Sequence, residues 1–291
     1  MKWALVLSGG GARGLAHIGL LAELERRGAP RPGLVAGTSM GAIVGALYAC
    51  GWDGERMERY ALGFDIKRYM ENPAFRLPDF ALSRVLQAGT ALGVLAMKRG
   101  LDSGERVLAE LERLFEGRRF EDLDTPFACV AVDLVSGRER VFDSGPLALA
   151  VRASMSFPGV FAPVAIDGGL YADGGIVDNL PVRAALARGY KRVLASDVST
   201  FPPLEPERMK NGLSVLLRCY DVASEKAQGR PQDQASLYLP IEGPVPIFGF
   251  DQAADALAMG RKAVSDAAPR LDRFFRPGPF RGHPFLRTLF R

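Results

Sequence analysis

Leu34-Val35-Ala36-Gly37-Thr38-Ser39-Met40-Gly41-Ala42 is the stretch that decides the fold. Leu34-Val35-Ala36 reads as a short buried strand, and Ala42 to Cys50 as a small-residue helix ended by Gly51. Between them Gly37-Thr38-Ser39-Met40-Gly41 fits G-x-S-x-G in the strand-to-helix context that this pattern requires. The glycines let the backbone turn sharply, so Ser39 Oγ projects from the sheet edge and the Met40 N–H lies at a helix start. Upstream, Trp3 to Leu7 is a continuous apolar run that suits a fully buried strand. Leu15 to Leu24 follows with apolar residues at helical spacing, and stops at Gly28 with Arg26 and Arg27 in its last turn. Strand, glycine loop, helix, strand, tight turn, helix: the first fifty residues predict an α/β fold with a central, mainly parallel sheet flanked by helices in three layers.

The remainder extends this pattern. Asp102 and Glu105 form an expected capping box, with Val107, Leu108, Leu111, Leu114 and Phe115 marking the face of the helix behind it. Residues 127–134 and 139–142 read as a hairpin around Ser136-Gly137. A second hairpin pairs Val164-Ala165-Ile166 with Leu170-Tyr171-Ala172 across Asp167-Gly168. A strand at 192–196, a helix at about 207–228, a strand at 237–241 and a helix at 251–266 complete the reading. Residues 55–100 hold no sustained period. Their aromatic residues among breakers, Phe64, Tyr69, Phe75 and Phe80 with Pro73 and Pro78, suit either a mobile cover or a helical insertion packed on the core. With no repeat and no interdomain linker, residues 1–291 are expected to form one domain: a core over 4–200, a C-terminal part over 201–275 and a tail over 276–291.

Composition narrows the function. The 37 basic and 33 acidic residues give a net charge of +4, too small to argue for nucleic acid. The 3 cysteines, Cys50, Cys129 and Cys219, match no zinc or redox spacing, which suits buried thiols in a reducing compartment. The N-terminal apolar run is too short for a signal peptide, and no stretch reaches the roughly 20 residues of a membrane span. A cytoplasmic chain without metal or cofactor is expected. The only histidines are His17 and His283. His17 lies in the first helix, where a packed or backbone-bonded role is the ordinary one, and His283 lies in a proline-rich tail.

Gly9-Gly10-Gly11-Ala12-Arg13-Gly14 also lies between strand and helix, where successive N–H groups can converge on an anion. A dinucleotide loop of this spacing needs an acid about 20 residues on, and none lies between Glu25 and Asp53. An oxyanion hole serving the neighbouring serine is the reading that remains. A serine nucleophile needs a base, and the scarcity of histidine points to a carboxylate. Asp167-Gly168-Gly169 and Asp173-Gly174-Gly175 are the candidates. Turn chemistry accounts for Asp167, but it does not account for Asp173, which ends the second hairpin.

The glycine loop at 9–14, Gly-Thr-Ser-Met-Gly at 37–41, Ser154-Met155-Ser156-Phe157-Pro158-Gly159, Asp-Gly-Gly at 173–175 and Asn179-Leu180-Pro181 together resemble the patatin-like phospholipases, most of all the small bacterial members. The resemblance covers about residues 4–200. It implies a Ser–Asp dyad of Ser39 as nucleophile and Asp173 as base, an oxyanion hole of Gly10 and Gly11 with Arg13 the basic residue of the loop, and no metal or cofactor. Asp178 stands where many members have Asn. The implied activity is hydrolysis of fatty-acyl esters of lipids through an acyl-enzyme; the alternative is a non-catalytic lipid-binding adaptor that keeps the fold. Arg13 and Arg152 are either anion-holding groups or structural arginines. The tail carries Arg276, Arg281, Arg287 and Arg291 with Phe280, Phe285 and Phe290 and no acid, so the whole net charge of +4 resides there. Peripheral contact with an anionic membrane surface is the corresponding expectation.

Overall fold

The computed structural model describes residues 2–71, 98–200, 204–209 and 212–276. Phe75, Phe80 and most of the basic tail, His283 included, lie outside them. The strands are β1 (Ala4–Leu7), β2 (Leu34–Thr38), β3 (Phe127–Asp133), β4 (Glu139–Phe142), β5 (Val164–Ile166), β6 (Gly169–Asp173), β7 (Val193–Asp197) and β8 (Leu237–Pro240). The helices are α1 (Ala16–Arg26), α2 (Met40–Ala49), α3 (Gly54–Gly63), α4 (Glu105–Leu114), α5 (Leu147–Ser154), α6 (Val182–Ala187), α7 (Gly212–Gln228), α8 (Ala253–Asp266) and α9 (Ala268–Phe275). The strands form one mixed sheet. β3, β2, β1, β7 and β8 run parallel in that order, and β4, β5 and β6 add antiparallel pairings beside β3.

β1 is buried along its whole length, as a central parallel strand covered on both faces must be. Its side chains alternate between two cores. Trp3, Leu5 and Leu7 pack into a large cluster with α1, α2, α4, α5 and α8, while Ala4 and Val6 face a small one with Leu180, Val182 and Ala185 around α6. The sheet therefore has a thick face and a thin face, and the site lies on the thick one.

Pairing at β3 sets the geometry that matters. Groups along a strand alternate between its two edges. The Val35 N–H bonds Pro126 O and the Leu134 N–H bonds Leu170 O, whereas the Asp133 N–H bonds Arg138 O. β2 and β6 thus share one edge of β3, and β4 takes the other. Thr38 pairs with Val130 and Asp173 with Ala131, so the two strands meet at their carboxyl ends.

Local chemistry explains most of the elements. Asp167 and Gly168 both take positive φ (47° and 83°), the pair of left-handed residues that a two-residue hairpin turn demands. Asp53 caps α3 by accepting the Arg56 N–H at 2.7 Å. The capping box expected from Asp102 and Glu105 does not form. Asp102 is buried and accepts the Glu71 and Gly104 N–H groups, and Gly104 itself is the residue before α4. Of the helix expected at 207–228, Gly212–Gln228 is helical, while Pro206–Arg208 forms a separate short turn. No described helix is long and apolar enough to cross a membrane.

Candidate active site

Ser39 stands between β2 and α2 with φ 54° and ψ −120°, a left-handed conformation rare outside glycine. Such a residue carries about 1–3 kcal/mol of strain and persists only where its surroundings force it. Here they do. A Cβ on Gly37 would lie 2.3 Å from Gly41 O, and one on Gly41 would lie 2.3 Å from Leu7 O, so the turn packs against itself and against β1 too closely for any side chain. The Ser39 N–H donates to Ser154 Oγ at 3.1 Å, and Ser154 Oγ donates to Val130 O at 2.6 Å, which ties the turn to β3 through α5. The Thr38 hydroxyl donates to Asp178 O at 2.8 Å.

Asp173 reaches the same point from β6. Ser39 Oγ donates to its Oδ2 at 2.7 Å, and the Gly175 N–H donates to its Oδ1 at 2.8 Å. The side chain is 3% exposed, and burial pushes the carboxyl up to about 6, opposed by the Gly175 and Ser39 hydrogen bonds. Asp167, the other candidate carboxylate, lies in the hairpin turn at the opposite end of β6.

The glycine loop runs alongside. The Gly9 N–H donates to Asn179 O and the Ala12 N–H to Ile247 O, while Gly10 and Gly11 find no backbone or side-chain acceptor among the described residues. A Cβ on Gly9 would lie 3.0 Å from Ser39 Cβ, so loop and serine are in contact. Gly11 has φ 58°, and a Cβ there would meet Ile247 O at 2.2 Å. Arg13 does not line the cavity at the serine. Its buried Nε has no partner among the described residues, burial lowers its pKa, and the nearby Asp221 and Asp197 oppose that shift.

Ser39, Gly11 and Met40 open onto a cavity of about 210 Å³. Two helical stripes line it: Met40, Ile43, Val44 and Leu47 on α2, and Val107, Glu110, Leu111 and Leu114 on α4. Each follows the i, i+3, i+4, i+7 spacing of one helix face. α3 and the following turn supply the third wall with Tyr60, Phe64, Tyr69 and Met70. Tyr60 and Tyr69 donate to Glu110 Oε1 at 2.7 and 3.2 Å, and Arg113 holds the same carboxylate. Of the described part of residues 55–100, the stretch from Tyr60 to Met70 is therefore tied to α4 and forms a wall of the cavity.

The remaining candidates are structural. Arg152 is buried and donates to Gly104 O, Ser103 O, Ala162 O and Ser156 Oγ; its guanidinium is spent on the protein and cannot hold an external anion. His17 bonds Ser196 and Ser8 in the interior through its two ring nitrogens, and neither nitrogen bonds Ser39 or Asp173. Asp178 is buried and pushed up to about 7 by burial and by Glu139, against Arg183. No group of three His, Cys, Asp or Glu side chains that could hold a metal ion occurs among the described residues.

Ser154 escaped the sequence reading as a functional residue: nothing in Ala153-Ser154-Met155 announces a hydroxyl that holds another residue's N–H. Glu110 escaped it as well, although a lone charge on an apolar helix stripe was a usable signal.

The fold and these groups define an α/β protein with a strained serine against a buried carboxylate beside an apolar cavity. The patatin-like phospholipase family profile matches residues 5–186, and the chain belongs to that family. It is 39% identical over 179 residues to an uncharacterized NTE family protein of Mycobacterium tuberculosis, covering 62% of this chain and 44% of that protein. It is 35% identical over 199 residues to human patatin-like phospholipase domain-containing protein 6, covering 68% of this chain and 13% of that protein. It is 34% identical over 231 residues to lysophospholipase NTE1 of Mycosarcoma maydis, covering 78% of this chain and 11% of that protein. The chain thus spans less than half the length of these relatives. The crystal structure of VipD from Legionella pneumophila superposes with a TM-score of 0.49 at 17% identity, over 92% of this chain and 67% of that one.

Proposed function

We propose that the protein is a serine lipid acyl hydrolase that cleaves fatty-acyl esters through a Ser39–Asp173 dyad and an acyl-enzyme. The observation that carries this reading is the 2.7 Å hydrogen bond from Ser39 Oγ to Asp173 Oδ2, with Ser39 lining an apolar cavity. The cavity suits an acyl chain. Met40 and Leu47 are seven residues apart on α2, which is about 10 Å along a helix, so the stripes offer an extended chain a wall of that length.

Asp173 takes the Ser39 proton as Oγ attacks the ester carbonyl. The carbonyl electrons move to oxygen, and the Gly10 and Gly11 N–H groups stabilise the oxyanion. Collapse expels the alcohol, which receives the proton from Asp173, and leaves the acyl group on Ser39. Asp173 then takes a proton from water, whose oxygen attacks the acyl carbon. Ser39 leaves, recovers the proton, and the fatty acid departs. Burial serves this chemistry, because a carboxyl raised toward neutral pH is a better general base than an ordinary aspartate. The substrates are phospholipid or lysophospholipid acyl esters, met at a membrane surface that the basic tail contacts.

Purified protein and Ser39→Ala, assayed on p-nitrophenyl and lysophospholipid esters and with a fluorophosphonate probe, test the reading. Hydrolysis and labelling by the wild type alone are expected; equal turnover by Ser39→Ala would overturn it.

A further inference from the structure

The hydrogen bonds that orient Asp173 and the glycine loop meet on one side chain beyond the segment that matches the family, which ends at residue 186. Gln228 is the last residue of α7 and is half-buried. Its Oε1 accepts the Asn179 N–H at 2.8 Å. Its Nε2 donates to Gly175 O at 3.3 Å and to Ser224 Oγ at 2.6 Å. Ser224, one turn earlier on α7 and buried, donates its own proton to the same Gly175 O. The amide orientation follows from its partners, since a backbone N–H can only donate and a carbonyl can only accept.

Both backbone groups lead directly to the site. Gly175 gives its N–H to Asp173 Oδ1 at 2.8 Å. Asn179 accepts the Gly9 N–H on its carbonyl at 3.2 Å and donates from Nδ2 to Gly9 O at 3.4 Å. Asp173 is followed by Gly174 and Gly175, a pair with wide backbone freedom, so the turn that supplies the Oδ1 donor needs outside restraint. We propose that Gln228, together with Ser224, is a positioning residue that ties the turn after Asp173 and the loop at Gly9 to one helix, and so holds the carboxylate and the glycine N–H groups in register with Ser39. This rests on the reading of Ser39 and Asp173 as the reacting pair.

A displacement of about 1 Å between reacting groups can lower a rate on the order of a hundred-fold. The titratable groups facing Asp173 are few. Ser39 comes from the strand-to-helix turn, and Tyr220 comes from α7, its phenol raised by burial and by Asp173 itself, hence neutral. Asp221 on the same helix faces Arg13 and Arg218 instead. A rise of Asp173's titration in a Gln228 variant therefore has the sign of a weakened hydrogen bond from Gly175, which favours the ionised form, whereas water entering the site would lower it.

The test compares Gln228→Ala and Ser224→Ala with Lys226→Ala, an exposed position on the same helix. Each protein is assayed on a short p-nitrophenyl ester across pH, and the Asp173 carboxyl is titrated by carbon NMR. Gln228→Ala should lower kcat on the order of ten- to a hundred-fold with KM unchanged, because no cavity-lining residue is touched. Its acid limb and its Asp173 titration should both move to higher pH. Ser224→Ala should do the same more weakly, and Lys226→Ala should do neither. Unchanged kcat and unchanged titration in both folded variants would overturn the proposal. So would a loss of activity accompanied only by a lower Tm, with the Asp173 titration in place. If the wild type hydrolyses no ester, the acyl-hydrolase reading fails, and the NMR titration still decides whether Gln228 holds Asp173.

Discussion

Two serines among the described residues donate a hydrogen bond to a buried base, and the two pairs differ in what burial does to them. Ser39 Oγ bonds Asp173 at 2.7 Å, and Ser196 Oγ bonds His17 Nδ1 at 3.0 Å. The second pair looks more like a nucleophile with its imidazole than the first does. His17 Nε2 faces Ser8 O at 2.9 Å, and a carbonyl can only accept, so the proton sits on Nε2 and Nδ1 is free to receive the Ser196 hydroxyl. Yet both residues are 0% exposed, and neither lines the cavity. Burial disfavours whichever form is charged. It pushes His17 down to about 4, which makes the imidazole a poorer base, and pushes Asp173 up to about 6, which makes the carboxylate a better one. The same desolvation weakens one base and strengthens the other.

Substitutions can break or sharpen this contrast. The largest effect belongs to Ser39→Ala, which should remove several orders of magnitude of ester hydrolysis, the scale expected for a lost nucleophile. A fluorophosphonate should label Ser39 and leave Ser196 unmodified; mass spectrometry that found the adduct on Ser196 would invert the comparison.

Asp173→Asn should be nearly as inactive and more stable. The folded carboxyl is raised to about 6 from an unfolded value near 4, so the folded state holds its proton more tightly. Stability then falls as pH rises through that window, and the penalty is complete at pH 7. Asparagine lifts it, so denaturant titration at neutral pH should show a gain on the order of 2 kcal/mol that fades toward about pH 4. In the wild type, kcat/KM should rise as pH passes about 6 and Asp173 ionises. A destabilised Asp173→Asn protein or a flat pH profile would count against a desolvated base.

Ser196→Ala should leave hydrolysis unchanged and lower stability by about 1 kcal/mol, the usual net worth of a buried hydrogen bond. A kinetic defect at Ser196 beyond that expected from partial unfolding would mean that the buried pair contributes to turnover after all. Asp167→Asn should change least, within about 0.5 kcal/mol and with full activity, because asparagine serves the same left-handed turn position. Loss of activity there would reopen the choice between the two Asp-Gly-Gly segments.

How far the sequence reached depends on the range of the forces involved. Gly37-x-Ser39-x-Gly41 was legible because glycine spacing and flanking strand and helix settle a turn locally. The Asp167-Gly168 hairpin was legible for the same reason. The lone Asp102–Glu105 signal misled, because a buried Asp102 found better partners in Glu71 and Gly104 N–H groups than a helix start would have given it. Arg152 could not be assigned from sequence at all, since its role depends on carbonyls from two other segments, at Ser103-Gly104 and at Ala162. Gln228 left no trace in the sequence, because an exposed-looking residue at a helix end carries no pattern.

The sequence by itself determined the α/β order, the strained turn under Ser39, the glycine loop and the shortage of imidazole. These follow from backbone preference and from composition, which act within a few residues. Only the tertiary structure decided that β2 and β6 take the same edge of β3 and meet at their carboxyl ends, which brings Ser39 and Asp173 into one hydrogen bond. It also decided which serine is buried against His17 and which one opens onto the cavity. Strand pairing and desolvation are properties of the packed interior, and no local stretch of the chain contains them.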